Sequence, residues 1–293
     1  MRGQPSLCEV LTPARLDEAL ALRVAHPEAR PLAGGTDLMV PFAAGRLPDR
    51  LFLNLWGLEE LRGIAVTEGD VTFGALTLFR EIAAHPLFQR EFPNLVRSAK
   101  ATGALAIQSR GSVGGNIANG SPAADTPPSL LAYGAELELT SLRGSRWVPY
   151  ADFHTGYKQS LLAPDELITR VRVSRSRAGG FHYFRKVGTR QAQAIAKVSL
   201  AAWARVEGGR LQELRLALGS VAPMPIRARR VEAVLQGGPV ADLPLKGALA
   251  ALQADISPID DLRSSARFRR QVAGNLLADM LRGLVSVSPG SSF

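Results

Sequence analysis

Two glycine turns, at which extended backbone must stop, constrain this chain most. In the first, Pro31-Leu32-Ala33-Gly34-Gly35-Thr36-Asp37-Leu38, a short strand over 30–33 ends at paired glycines, and Thr36 stands where the next element opens. The second is longer: Gly111-Ser112-Val113-Gly114-Gly115-Asn116-Ile117-Ala118-Asn119-Gly120, running on through Ser121-Pro122-Ala123-Ala124-Asp125. Residues without Cβ atoms let successive backbone N–H groups converge on one anion. The hydroxyls of Thr36 and Ser112 add donors. Two such loops suit the two phosphates of one dinucleotide, gripped from opposite sides. The plainer alternative is that each Gly-Gly is only a tight turn, the commoner role of that pair. No Lys-Ser or Lys-Thr follows at P-loop spacing, and neither segment fits G-x-G-x-x-G.

Composition narrows the chemistry. Cys8 is the single cysteine, which excludes an internal disulfide and a self-contained Cys-based zinc or iron–sulfur site. His26, His85, His154 and His182 lie far apart, without the i, i+4 spacing of a helical metal site. Redox chemistry on this chain must therefore use a non-covalent organic cofactor or a partner's metal. The net charge of +9 comes from 35 Lys and Arg against 26 Asp and Glu, densest at Arg227, Arg229, Arg230 and at Arg263, Arg267, Arg269, Arg270. No aromatic-interleaved basic motif accompanies these spots, so the charge reads as a solvated face or a docking surface for an anionic cofactor and protein partner, and not as a nucleic-acid site. No apolar run reaches the roughly 18 residues of a membrane span, and the N-terminus carries no secretory h-region, so a cytoplasmic protein is expected. For the same reason the sequon Asn119-Gly120-Ser121 is set aside.

At 293 residues two domains are expected. Thr12-Pro13 predicts a helix start, with Leu16, Leu20 and Val24 at helical spacing until His26-Pro27. Leu51–Leu55 reads as a strand, Ile64–Val66 and Val71–Phe73 as a hairpin about Glu68-Gly69-Asp70, and Pro93–Ala101 as a helix. Thr77 is expected to cap a helix through Ile82. Strands are expected at Ala135–Thr140 and Trp147-Val148 about the turn Arg143-Gly144-Ser145, and at Leu167–Val173, where apolar and basic residues alternate. The run from Ser174 to Gly180 marks a boundary. Beyond it come strands at Phe181–Val187, Ala194–Val206 and Leu211–Leu218, then helices at Ile226–Leu235, Leu243–Leu252 and Ser264–Val285. Strands grouped with helices, without strict βαβ alternation, indicate an α+β protein.

The run Ala33-Gly34-Gly35-Thr36-Asp37-Leu38 resembles the first FAD motif of the flavoprotein (medium) subunits of molybdenum hydroxylases, the family of xanthine dehydrogenase and carbon monoxide dehydrogenase. Ser112-Val113-Gly114-Gly115-Asn116-Ile117-Ala118, continuing to Ser121-Pro122-Ala123-Ala124-Asp125-Thr126-Pro127-Pro128, resembles the second. Phe184-Arg185-Lys186-Val187-Gly188-Thr189-Arg190 through Ser199 resembles the opening of the family's C-terminal domain. The order and spacing agree over essentially the whole chain.

The resemblance implies a two-lobed FAD-binding fold of the vanillyl-alcohol-oxidase (PCMH) type over 1–176, with lobes at about 1–58 and 59–176. It further implies a C-terminal α+β domain over 179–285, leaving a frayed tail over 286–293. It places Pro31–Leu38 and Ser112, Val113, Gly114, Gly115 and Asn116 on the FAD pyrophosphate. Asp125 becomes an FAD contact, or alternatively an N-cap for the helix at Pro127-Pro128. Thr102 falls against the flavin, although relatives often carry an aromatic residue near the ring and Thr102 is not one; Tyr157 is the candidate for that place. Leu167 or Ile168 supplies an apolar backbone contact to the ring. Lys186 is either a basic residue near the flavin, stabilising its reduced anion, or an ordinary strand-edge lysine.

The implied role is electron relay. Molybdopterin sits on a large partner subunit and [2Fe-2S] clusters on a small one, as a dimer of heterotrimers. FAD here passes electrons to NAD, quinone or oxygen. The rival reading, a stand-alone oxidase of the same fold, needs a base such as His154 or Tyr157 beside the flavin.

Overall fold

The computed structural model describes residues 3–48, 50–190 and 192–286; the expected tail beyond Ser286 lies outside the described residues. The chain opens with β1 (Glu9–Leu11), α1 (Leu16–Ala25), β2 (Arg30–Leu32), α2 (Met39–Ala43) and β3 (Leu51–Asn54). The three strands form a parallel sheet in the order β1-β3-β2. Ala19 and Leu20 of α1 pack on Leu53, Leu55, Leu58 and Leu61 beneath it. Helix α1 does not start at Thr12-Pro13. Carboxylates satisfy its entry: Glu60 Oε1 accepts from Leu16 N at 3.0 Å, and Glu18 Oε2 reaches back to accept from Ala14 N, just before the helix, at 2.7 Å. A remote acceptor does the work expected of the Thr12 hydroxyl, and the helix begins where that acceptor reaches.

A second, antiparallel sheet follows. Its members are β4 (Ile64–Val66), β5 (Asp70–Gly74), β6 (Glu136–Ser141), β7 (Gly144–Pro149) and, after the small pair β8 (His154–Gly156) and β9 (Gln159–Ser160), β10 (Leu167–Ser174). The order is β4-β5-β10-β6-β7. Gly144 already pairs with Ser141, so the turn of that hairpin is Leu142-Arg143 and not Arg143–Ser145.

Between β5 and β6 run α3 (Phe79–Ala84), α4 (Pro86–Glu91), α5 (Pro93–Ala101), α6 (Leu105–Gln108), α7 (Val113–Ala118) and α8 (Pro127–Ala132); α9 (Tyr150–Phe153) follows β7. Prolines start α4, α5 and α8, since each lacks the N–H that a first turn leaves unpaired; before α4 and α5 they also hold His85 and Phe92 out of helical geometry. Thr77 does not cap α3. The cap position is Leu78, whose N–H donates to Glu81 Oε2 at 2.7 Å. The core is chained edge-to-face through Phe73, Phe88, Phe92 and Tyr133, with centroids 5.1–6.1 Å apart.

The third sheet is antiparallel, in the order β11 (Phe181–Val187), β12 (Val198–Glu207), β13 (Arg210–Gly219), β14 (Ile226–Arg227), and carries α10 (Arg229–Leu235), α11 (Leu245–Asp255) and α12 (Ala266–Ser286). Ala194–Lys197 is not strand, since Gln193 turns the backbone to φ +53° and regular pairing resumes at Val198. Ile226-Arg227 is strand and not helix, because it extends β13 through Leu218 and Ala217.

The α+β expectation stands. The sheet faces divide cleanly. Leu200, Ala202 and Ala204 join the core under α10–α12, while Trp203 and Ala217 join the core of the second sheet. All six residues of α8 are buried, and α8 packs against β12 and β13. Asn94 completes the join: its Nδ2 donates to the Ala202 carbonyl at 2.8 Å, and its own carbonyl accepts from Ser129 Oγ.

Trp203 is fully buried, and its indole N–H donates to the Gly179 carbonyl at 2.7 Å. Trp203→Ala therefore leaves a cavity between the second and third sheets and an orphaned carbonyl. Chemical denaturation is expected to show a loss of about 3–5 kcal/mol, against about 1 kcal/mol or less for an exposed control such as Leu262→Ala.

Candidate functional site

The two glycine segments meet, but only the first is a turn: Gly114 and Gly115 lie in the first turn of α7, because the Ser112 hydroxyl caps a helix there. A Cβ on Gly34 would lie 1.6 Å from the Arg110 carbonyl oxygen, and Ala33 stands 3.8 Å from the position of a Cβ on Gly115. Only glycine permits the Gly34 approach. Gly35 takes a left-handed φ of +74°, which an L side chain resists. Ala33, Gly34 and Gly35 line a cleft of about 290 Å³ together with Val10, Leu32, Met39, Asn54, Trp56 and Arg110.

The loops differ in what they offer an anion. Within 34–37, no backbone N–H donates to an acceptor among the described residues. In the second loop the donors are committed. Val113 N donates to the Thr77 carbonyl at 3.0 Å, Gly114 N to the Ala75 carbonyl at 2.8 Å, and Asn116 N to the Ser112 carbonyl at 3.0 Å. Ser112 Oγ is the N-cap of α7 and accepts from Gly115 N at 3.3 Å. The second segment thus departs from the expectation of anion-facing N–H groups, whereas those of 34–37 have no acceptor among the described residues. The second is spent on anchoring: Val113 and Gly114 are buried against Ala75 and Thr77, and a Cβ on Gly114 would lie 2.6 Å from that of Ala75. Asn116 Oδ1 accepts from Thr126 Oγ1 at 2.6 Å, tying the start of the motif to its end.

A second group forms where α5, the end of the second motif and β11 meet. Lys186 Nζ lies 2.6 Å from Asp125 Oδ2 and donates to the Ala101 carbonyl at 2.9 Å. Both side chains are nearly removed from water. Burial pushes the Asp125 carboxyl up to about 6, against the opposing pull of the Lys186 ammonium. Asp125 Oδ1 is buried without a partner. Helix α8 takes Thr126 as its N-cap position with no side-chain cap, so Asp125 is not its cap. Lys186 is likewise no free strand-edge lysine. An orphaned oxygen on a buried carboxylate is an acceptor in search of a donor.

The remaining expected residues are distributed. Thr102, next to Ala101, turns its Oγ1 back to the Ser98 carbonyl at 2.9 Å. Pro31 is in β2, paired with Leu53, while Thr36, Asp37 and Leu38 form the turn into α2. Leu167 and Ile168 lie in β10, paired with Thr140 and Leu139 of β6, and α7 packs on that strand. His154 is buried beside the Tyr150 hydroxyl at 3.3 Å, and burial holds its imidazole below the ordinary value; Tyr157 is exposed. Sequence reasoning missed Trp56, Arg110 and Asn54. Arg110 has a local signal, standing directly before the second motif. Trp56 has none, since it reaches the cleft only through the folding of the first lobe.

Residues 6–175 match the family described as "FAD binding domain in molybdopterin dehydrogenase", and residues 182–284 match "CO dehydrogenase flavoprotein C-terminal domain". The chain is 32% identical over 281 residues to a putative xanthine dehydrogenase FAD-binding subunit of Escherichia coli (strain K12), a match covering 94% of this chain and 96% of that one. It is 32% identical over 272 residues to the carbon monoxide dehydrogenase medium chain of Afipia carboxidovorans, covering 90% and 92%. A solved structure of carbon monoxide dehydrogenase from Hydrogenophaga pseudoflava superimposes with a TM-score of 0.91 at 29% identity, covering 95% of this chain and 97% of that one. The chain belongs to the FAD-binding subunits of the molybdenum hydroxylases, the oxidoreductase family of the xanthine and carbon monoxide dehydrogenases.

Proposed function

We propose that this chain holds FAD between the first glycine loop and the Asp125–Lys186 pair, receives electrons from iron–sulfur clusters on a small partner subunit, and passes them to an external acceptor. The observation that carries this reading is the pairing of free N–H donors at 34–37 with an unpartnered buried carboxylate oxygen on Asp125. The first suits a pyrophosphate and the second a hydroxyl or N–H of the same ligand. FAD would collect single electrons from the clusters and deliver them in pairs to the acceptor; the protein's part is to place and tune it.

In this reading Gly34, Gly35, Thr36 and Asp37 bind the pyrophosphate through backbone N–H groups. Ser112, Val113, Gly114, Gly115 and Asn116 form the wall that holds them in place. Lys186 orients Asp125, and its charge is offset there. Thr102 and the backbone at Leu167 and Ile168 border the flavin. Residues 1–176 act as the FAD-binding unit and 179–285 as the C-terminal domain. A large subunit carries the molybdenum cofactor, a small one [2Fe-2S] clusters, and the complex assembles as a dimer of heterotrimers in the cytoplasm. The acceptor is NAD, a quinone or oxygen. Among the described residues no helix is long and apolar enough to cross a membrane.

Purification with native partners, followed by cofactor analysis of each subunit, is expected to place FAD on this chain and molybdenum and iron on the others. Substrate turnover by the isolated chain would overturn the reading. Gly34→Ala is expected to force the loops apart and to weaken FAD binding, measured by flavin fluorescence, by more than about tenfold, or 1.4 kcal/mol.

For Asp125 the folded carboxyl titrates near 6 and the unfolded one near 3.8. The native state therefore binds the extra proton across that interval, and this group's contribution to stability falls as pH rises through it. Asp125→Asn does not titrate. Urea denaturation at pH 4 and pH 6 should show the stability difference moving in favour of the variant at the higher pH; a constant difference would show an unshifted carboxyl.

A further inference from the structure

Arg110 joins the cleft twice. Its carbonyl is the surface against which Gly34 closes, so the position of its Cα is set by that approach. Its guanidinium lies over the Trp56 ring at 3.8 Å from the centroid, and both side chains line the cleft with Gly34 and Gly35. Arg62 also approaches Trp56, at 4.8 Å, but its guanidinium is committed to the Trp56 carbonyl at 2.6 Å and to Glu59 at 3.7 Å. The Arg110 guanidinium has no hydrogen bond and no carboxylate partner among the described residues.

We infer that Arg110 is a diphosphate-binding residue, its guanidinium supplying the charge that the first loop's N–H groups lack, with Trp56 as the positioning residue that holds the guanidinium plane. This rests on the flavin reading above. The chemistry fits on three grounds. A planar guanidinium offers paired donors to phosphate oxygens, and stacking on indole leaves those in-plane donors free. A diphosphate brings negative charge into the cleft, and none of the four residues 34–37 is cationic. The second loop does not fill the gap, since the N–H groups of Val113, Gly114 and Asn116 already have acceptors.

The test uses the full chain stripped of flavin, titrated with FAD, ADP and AMP, by flavin fluorescence for FAD and calorimetry for the nucleotides. Arg110→Gln is expected to weaken FAD and ADP in parallel, by about ten- to a hundredfold at low salt, as the loss of a charged hydrogen bond implies. AMP should change less, and the salt dependence of FAD binding should flatten. Arg110→Lys keeps the charge without the fork and is expected between the two. Trp56→Leu should lose part of the affinity and Trp56→Phe recover it, a rescue that a merely structural ring would not give selectively for ADP over AMP. Thermal midpoints of the stripped variants check folding. Unchanged FAD and ADP affinity in Arg110→Gln would overturn the inference and leave the flavin reading standing. Loss of FAD with ADP unchanged would also overturn it, by moving Arg110 to the flavin end. A wild-type chain that binds no FAD would remove both.

Discussion

The site depends on one backbone approach. Gly34 lies so close to the Arg110 carbonyl that no side chain fits between them. That contact seats the parallel sheet of the first lobe on the second glycine segment, and through it on the helices inserted between β5 and β6. The second segment bears the load because its own N–H groups are bonded inward, to the carbonyls of Ala75 and Thr77. The first loop, backed by this anchored segment, keeps four N–H groups at a partly exposed position without an acceptor among the described residues.

A second constraint is the burial of Asp125 with Lys186. Removing two opposite charges from water is costly, and their attraction offsets that only where geometry is good and the other lone pairs are met. Here Oδ1 is not met. The carboxyl accordingly rises to about 6 even beside an ammonium. Such a group is poor at stabilising a fold and well suited to meeting a ligand. The pair also spans the chain: Asp125 precedes α8, Lys186 is in β11, and the Ala101 carbonyl ends α5. The join between the second and third sheets is therefore part of the site as well as part of the core.

The elements readable from the sequence are those whose signals are local. The proline-led helix Pro93–Ala101, the hairpin about Glu68–Asp70 and the strand Phe181–Val187 appear as expected, because proline geometry and the strand preference of aromatic and β-branched residues act within a few residues. The misses share a cause. Thr12 is displaced by Glu60, 44 residues past the start of α1 at Leu16. Ile226-Arg227 becomes strand because β13 offers an open edge. Thr77 loses the cap to the Glu81 carboxylate that reaches Leu78. In each case a partner that sequence proximity does not reveal, or a competing acceptor a few residues on, outweighed a weak local preference.

By itself the sequence determined that this chain carries no cysteine cluster of its own, that Gly-Gly pairs stand at positions 34–35 and 114–115, and that its long second motif resembles the flavoprotein family. These follow from residue identity, which no folding can alter. Only the tertiary structure decided how the two segments divide the work, one presenting donors and the other anchoring them. It alone paired Asp125 with Lys186 across 61 residues and laid Arg110 on Trp56 across the cleft. The physical reason is that hydrogen-bond commitment and desolvation belong to a group's surroundings, and those surroundings come from distant parts of the chain.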